Sequence, residues 1–523
     1  MTTIAPFAAG SYASSRGTSQ LVSLKSQLTD LTTQLSSGLT AQSYGGLGNG
    51  RTAALSAQAS ISALNGYSAV IDTAQTRAKL GTTSLSQIVT VATQTNATLQ
   101  NGLQSTSTDT QAAKSTALNN FNAVLDALNQ SDGSVYLFGG TKGATPPVLD
   151  AETILYGGTN ANGVALDGLS TLTSEQVTAD VGPQGNGRLT QSVAGNTVSL
   201  TEGAAARAAK PNGAFGFSIA GVTSSNTAAF TGAQGGTPVT TTITGTAQPS
   251  VGDTVTVQLK LPDGSATSVT LKAAASADAT STTTFAIGGS LTDTVANLSK
   301  SLGNALQNAA STTLSANATA RTSADFFAAS SDAGTTPERV YYDASGTPSY
   351  VHTAASTTAV KQSVVWYNGQ KDDGTSARAS QTYQVGSSAT VQLGARANEA
   401  PIQKVLAGLA TVALGMPAGG TTGTNSDAYA AVVAQATPLL GASNTSPSVQ
   451  DIATDFSLAS ARMTNAASTN TAQKSTLQDT VDGIEQASTE EVATRLLDLQ
   501  NRLQASYQIT ASLSKLSLVN YIS

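Results

Sequence analysis

A chain of 523 residues with a formal net charge of −6 has room for several domains and no basic footprint for nucleic acid. Charged residues make up only 11% of it, against about 25% in ordinary soluble proteins, and it holds one histidine, one tryptophan and no cysteine. Disulfide, thiol and cysteine-ligated zinc chemistry are thereby excluded, and histidine catalysis rests on His352 alone.

The opening stretch MTTIAPFAAGSYASSRGTSQ has neither a basic region before an apolar run nor a cleavage site, so no cleaved secretory signal is expected. No run of 18 apolar residues predicts a membrane span, and no membrane insertion is expected. Leu21, Leu24, Leu28, Leu31 and Leu35 then recur at 3-4-3-4 spacing, which predicts a long helix with a coiled-coil seam, stopped near Gly38. Burying five leucines does not repay the entropy of ordering such a helix by itself, and only Arg16, Lys25 and Asp30 are charged before position 50. This helix needs neighbours on more than one side, from the C-terminal helix or from other copies of the chain.

GGLGNGRT (45–52) comes next and differs by one residue from a phosphate-binding loop, with Arg51 where lysine belongs. Such a loop requires a strand before it, and a leucine-patterned helix precedes this one, so the segment reads as a glycine-rich joint between helices. Helical periodicity resumes in Leu85, Ile88, Ala92, Thr95 and Leu99, and again in Leu118, Phe121, Leu125 and Leu128. The apolar cluster Val135–Phe138 closes that helix and predicts a strand and turn at a domain boundary.

Between about 145 and 395 the pattern turns to strands. Val255, Val257, Leu259 and Leu261 alternate, Pro262-Asp263-Gly264 turns, and Val269 and Leu271 alternate on the return. A helix follows at Leu291, Val295, Leu298, Leu302 and Leu306, and strands are predicted at 364–367 and 390–393. Helical spacing returns in Ile402, Leu406, Leu409 and Ala413, passes a Gly/Thr loop at 418–425, and ends in Val492, Leu496, Leu499 and Leu503 with Leu513 and Leu516 beyond. Glu490-Glu491, behind Ser488, read as first-turn acids after an N-cap rather than as a catalytic pair. His352 lies in a loop-like context with no legible Ser-His-Asp arrangement, and Asn96, Asn297, Asn317 and Asn444 head glycosylation-type triplets that this composition yields by chance.

The expected fold is therefore multidomain α + β: long coiled-coil-like helices from both termini form the core, and a β-rich α/β insert is looped out between them. The expected divisions are 1–44 with 488–523 as inner terminal helices and 45–145 with 396–487 as a helical core domain. An outer β-rich lobe is expected at 146–212 with 331–395, and a distal α/β lobe at 213–330. No catalytic residue, cofactor or metal site is expected, and the chain reads as a non-enzyme.

Several segments together resemble the bacterial flagellin superfamily, which includes flagellins and the hook–filament junction protein. LTTQLSSGL (31–39) and IDTAQTRAKLGTTSLSQI (71–88) are similar to that family's first helices, and LLDLQNRLQASYQITASLSKLSLVNYIS (496–523) to its terminal helix. LNQSDGSVYLFGGTKGATPP (128–147) and the terminal helix are nearer the junction protein. In the insert, 323–340 and 394–406 are similar to the central regions of long alphaproteobacterial flagellins. The chain departs from the usual flagellin at GGLGNGRT, where an Asp-Asp-Ala-Ala-Gly element is customary, and at its Asn520–Ser523 ending. An insert of this length suits a filament surface better than the shorter junction protein.

The resemblance implies a structural axial protein of the bacterial flagellum, exported unfolded through the flagellar export apparatus and polymerised outside the cell through its terminal helices for motility. Its implied partners are other copies of itself, the export apparatus and a chaperone, and hook-associated and cap proteins. Leu21, Leu24, Leu28, Leu31 and Leu35 would then meet Leu499, Leu503, Leu513 and Leu516, within and between subunits. The junction protein is the alternative. A secreted surface adhesin would carry β-repeats to the C-terminus, which the helix at 490–518 argues against, and a P-loop-like NTPase would need the lysine that Arg51 replaces.

Overall fold

The computed structural model describes residues 6–104, 110–203, 215–331, 335–352, 362–417, 424–441 and 447–522. In chain order these form α1 (Pro6–Ser37), a 3-10 turn (Tyr44–Gly50), α2 (Arg51–Leu103), α3 (Thr110–Leu128), α4 (Ala151–Tyr156), β1 (Gly157–Thr159), β2 (Ala165–Asp167), α5 (Leu169–Val181), β3 (Leu189–Ala194) and β4 (Thr197–Glu202). There follow β5 (Ser218–Ser224), β6 (Phe230–Gly235), β7 (Thr240–Gly245), β8 (Thr254–Lys260), β9 (Ala266–Ala274), β10 (Thr284–Ala286), α6 (Leu291–Ala309), a π turn (Ala310–Leu314) and α7 (Ser315–Ala328). The remainder is β11 (Glu338–Tyr342), β12 (Pro348–His352), β13 (Thr382–Gln384), β14 (Thr390–Gln392), α8 (Ala400–Gly415), α9 (Thr424–Leu440), α10 (Val449–Glu485) and α11 (Thr489–Ile522). The molecule is thus mixed α and β, with several separate sheets. Of the Gly/Thr loop expected at 418–425, residues 418–423 lie outside the described ones, as do Asn444 and the side chain of His352.

The chain divides into two compact units, each with its own packing. The terminal unit comprises Met1–Thr73, Gln384–Thr390 and Arg462–Ser523, and the larger unit Ala74–Tyr383 and Val391–Ala461.

In the larger unit, α2 buries Ala74, Ala78, Leu85, Ile88, Ala92, Thr95 and Leu99, the stripe its spacing predicts. A methyl group on Gly81 would collide with the Phe456 ring, so glycine permits the close approach of α10 there. Around α8 the helices α3, α7 and α9 pack together, and Ile402, Leu406, Leu409 and Ala413 are all buried. A helix apolar on nearly every side belongs in a core. Trp366 is fully buried against Phe327, and its Nε1–H donates to the Phe327 carbonyl at 3.0 Å.

The insert carries two four-stranded sheets, ordered β3-β4-β7-β6 and β10-β9-β8-β5. As the alternation predicts, β8 and β9 form an antiparallel hairpin, with Gly264 at φ 88° in its turn and Asp263 accepting from the Ser265 N–H. Val255, Val257, Leu259 and Leu271 join Val198, Ile243, Phe285 and the α6 residues Val295, Leu298 and Leu302 in one core. Ser290 caps α6 by accepting from the Asp293 N–H. The strand predicted at 364–367 is different in the structure: Ser363 and Tyr367 each make a single bridge, to Asp167 and Val148, with no continuous ladder. Val364 and Trp366 are buried, but its ends pair with two different segments, so it crosses between them as one extended chain.

Buried charge clamps this unit internally. Arg321 donates to Asp180 at 2.5 Å, and Gln176 and the Gly216 N–H also donate to that carboxylate. Burial pushes the Asp180 carboxyl above its ordinary value, against the opposing pull of Arg321. Arg339, 4% exposed, pairs with Asp167 and Glu175 and so ties β11 to α5 and β2.

Candidate self-association surface

In the terminal unit the two end helices meet. Helices α1 and α11 pack on each other. The Ala487 N–H donates to the Gly38 carbonyl at 2.9 Å, so the C-terminus of α1 and the N-terminus of α11 share one end of the pair. The two helices therefore run antiparallel from a common joint. Their packing is uneven. Leu499 and Leu503 of α11 are buried, each 7% exposed, and Val492 is buried beside them. Leu21, Leu24, Leu28 and Leu31 of α1 are only half-buried, and Leu35 is exposed. Leu513 and Leu516 stand on α11, with side chains outside the described ones.

This unevenness has a geometric cause. A pair of helices can cover only one stripe on each partner, so a row of leucines facing a single neighbour keeps its flanks in water. Other apolar side chains on the same two helices point away from the pair: Val22 is 64% exposed, Leu497 61%, Tyr507 58% and Ile509 60%. Among the described residues, nine of the sixteen exposed large hydrophobic side chains belong to the terminal unit, the smaller of the two. Exposed apolar side chains are thus concentrated on this unit.

The joint is built from both ends of the chain. Gly38, at φ 70°, ends α1 and donates to the Gln34 carbonyl. Leu39 bridges Gln486, the Thr40 N–H donates to the Glu485 carbonyl at 2.7 Å, and the Thr40 hydroxyl donates to the Gln486 carbonyl. GGLGNGRT follows as the 3-10 turn broken at Gly48 (φ 56°, ψ −123°), with Arg51 opening α2. A side chain on Gly50 would stand 2.7 Å from Ile484 Cγ2, so glycine lets the turn lie against α10. No strand leads into the loop, only the Leu39–Gln486 bridge. On the other side of the joint the Glu491 N–H donates to Ser488 Oγ, and Glu490 and Glu491 occupy the first turn of α11, where the dipole favours acids.

Beyond the joint, Ala57 and Ile61 of α2 pack with Val481 and Leu477 of α10. The hairpin tip 384–390 sits on α10, where buried Asn470 donates to the Val385 carbonyl at 2.9 Å. A mainly apolar groove of about 580 Å³ runs between Leu64 and Tyr67 of α2 and Thr476 and Leu477 of α10, with Ser387 of the tip at its side. A second cavity, about 200 Å³, lies at the joint between Glu485 and the segment 39–47. Among the described residues no cluster of three or more His, Asp or Glu side chains could hold a metal ion, and no helix is long and apolar enough to cross a membrane.

Periodicity identified the leucine rows on α1 and α11. It missed Leu497, Tyr507 and Ile509, which fall off the seam, although their size in a sparsely charged helix was the available signal. It also missed the pairing of residues 38–40 with 485–487, since no local pattern reports a contact so distant in sequence. No protein-family model matches this chain, and no curated protein matches it either.

Proposed function

We propose that this protein is a structural, self-assembling subunit whose terminal helices are completed by other copies of the chain, and that the assembly is the filament of a bacterial flagellum. The half-buried leucine row of α1, flanked by exposed Val22, Leu497, Tyr507 and Ile509, is the observation that carries the first part. A surface of this kind that fits a different patch on the next copy generates an open polymer, because a head-to-tail contact need not close. The flagellar part rests on the resemblance of the terminal segments and of 128–147 to the flagellin superfamily.

On this reading the chain is extracellular and has no catalytic role. It passes unfolded through the flagellar export apparatus with a chaperone, and contacts hook-associated and cap proteins at the ends of the polymer. The insert, with its two four-stranded sheets, stands as the variable part. The likeness of LNQSDGSVYLFGGTKGATPP to the junction protein supports a second reading, in which few copies join hook to filament; the abundance of the protein in sheared filaments separates the two.

The test is removal of residues 488–523. The shortened chain is expected to stay unassembled by sedimentation and electron microscopy under conditions where the full chain polymerises, while the circular dichroism and thermal transition of the larger unit persist. Polymers formed by the shortened chain would overturn the proposal.

A further inference from the structure

We infer that the joint cavity is a socket for Arg16 of a second copy, so that the outer end of one terminal helix pair docks on the joint of the next. The inference rests on the reading of the chain as self-associating and adds where the contact falls. Its first ground is an unsatisfied atom. Half-buried Glu485 lines the cavity of about 200 Å³, and its Oε1 is buried with no hydrogen-bond partner among the described residues. A buried carboxylate oxygen without a donor is costly, and native structures leave few such atoms unexplained. The cavity is otherwise lined by Leu39, Ala41, Gln42, Ser43, Tyr44 and Leu47, none of which is cationic.

The second ground is charge complementarity along the helix pair. Residues 475–494, the end of α10 and the start of α11 at the joint, contain Asp479, Asp482, Glu485, Glu490 and Glu491 and no lysine or arginine, while the joint's N-terminal part, residues 38–51, adds Arg51 alone. The outer parts of the same two helices are the reverse. Residues 6–29 and 499–522 contain Arg16, Lys25, Arg502 and Lys515 and no acid. Arg502 is engaged by Asp498 on its own helix, whereas Arg16 is exposed and makes no ion pair among the described residues. Arg16 stands 21 residues before the end of α1, about 32 Å from the joint at 1.5 Å per residue. It cannot reach Glu485 of its own chain along a straight helix.

A contact between an acid-free end and a mainly acidic joint is head-to-tail by construction, since each copy offers one of each. It also fixes polarity, because reversed stacking would set acid against acid. Arginine suits the position, as its planar fork carries several donors for one carboxylate and sheds water more readily than lysine.

The full-length chain tests this through the concentration at which assembly begins, measured by sedimentation across a salt series. Glu485→Gln and Arg16→Glu should each raise that concentration about tenfold or more at low salt and flatten its salt dependence. The exchange Arg16→Glu with Glu485→Arg should recover most of the loss, which a folding defect would not do. Assembly of Glu485→Gln with the parent's threshold and salt dependence would overturn the socket while leaving self-association intact. So would an exchange no better than the single changes. A parent chain that never assembles would remove the underlying reading and the socket with it.

Discussion

Single residues in this protein do two kinds of work, and Asp132 illustrates the structural kind. Its Oδ1 accepts from the Ser134 and Val135 N–H groups, each at 2.8 Å, and from the Ser134 hydroxyl at 2.7 Å, while Oδ2 accepts from Arg77 Nε at 2.6 Å. Burial alone would raise this carboxyl, but the Ser134 and Arg77 hydrogen bonds outweigh it and hold the group well below the usual carboxylate range. A depressed folded value means stabilisation that is complete above the ordinary carboxylate value and lost as pH falls towards the folded one. Asp132→Asn should therefore lower stability at pH 7 by about 1–2 kcal/mol, modest because the site keeps some contact with water. In denaturant titrations the gap between parent and variant should narrow progressively below about pH 4. A gap that stays constant from pH 7 to pH 2 would contradict this assignment. The other kind of work belongs to small residues: Gly38, Gly48 and Gly50 shape the joint through their backbone and their lack of a side chain. The sequence GGLGNGRT already read as a joint because no strand preceded it. What it packs against, Ile484, could not be read, because that contact joins opposite ends of the chain.

Helices separate into those finished within one chain and those left open. Helix α8 is finished: Leu406 is fully buried among α3, α7 and α9. Helix α1 is open: it packs on α11, and its Leu24 is only half-buried. Equal truncations should therefore have unequal effects. Leu406→Ala is expected to cost about 2–5 kcal/mol of global stability, by removing buried methyl groups and leaving a cavity. Leu24→Ala should barely move the melting transition of the unassembled chain yet raise the concentration needed for assembly several-fold. Melting curves alongside a sedimentation series check both, and a Leu24→Ala chain that melts as early as Leu406→Ala would contradict the distinction. Helical elements were legible because their apolar spacing is regular, as in Leu85 to Leu99 and Ile402 to Ala413. The hairpin of β8 and β9 was legible because alternation and Pro-Asp-Gly agree. Residues 364–367 were misread as a strand because an apolar run reports burial without reporting a ladder partner.

The whole chain combines a well-packed larger unit with a terminal unit whose apolar side chains remain partly in water. Composition and periodicity made that contrast visible in advance, through leucine rows and sparse charge at the ends and alternating β-branched residues between them. They left unread how the ends join, through Thr40, Glu485 and Gln486, and where the acidic joint faces the cavity. The central claim is that other copies complete the terminal helices, and amide hydrogen exchange of the full chain, before and after assembly, tests it most directly. Amides in residues 15–37 and 489–512 should exchange quickly in the single chain and gain protection by about a hundredfold on assembly, while those of α8 stay unchanged. Terminal helices already as protected as α8 in the single chain, or unaltered by assembly, would contradict the account.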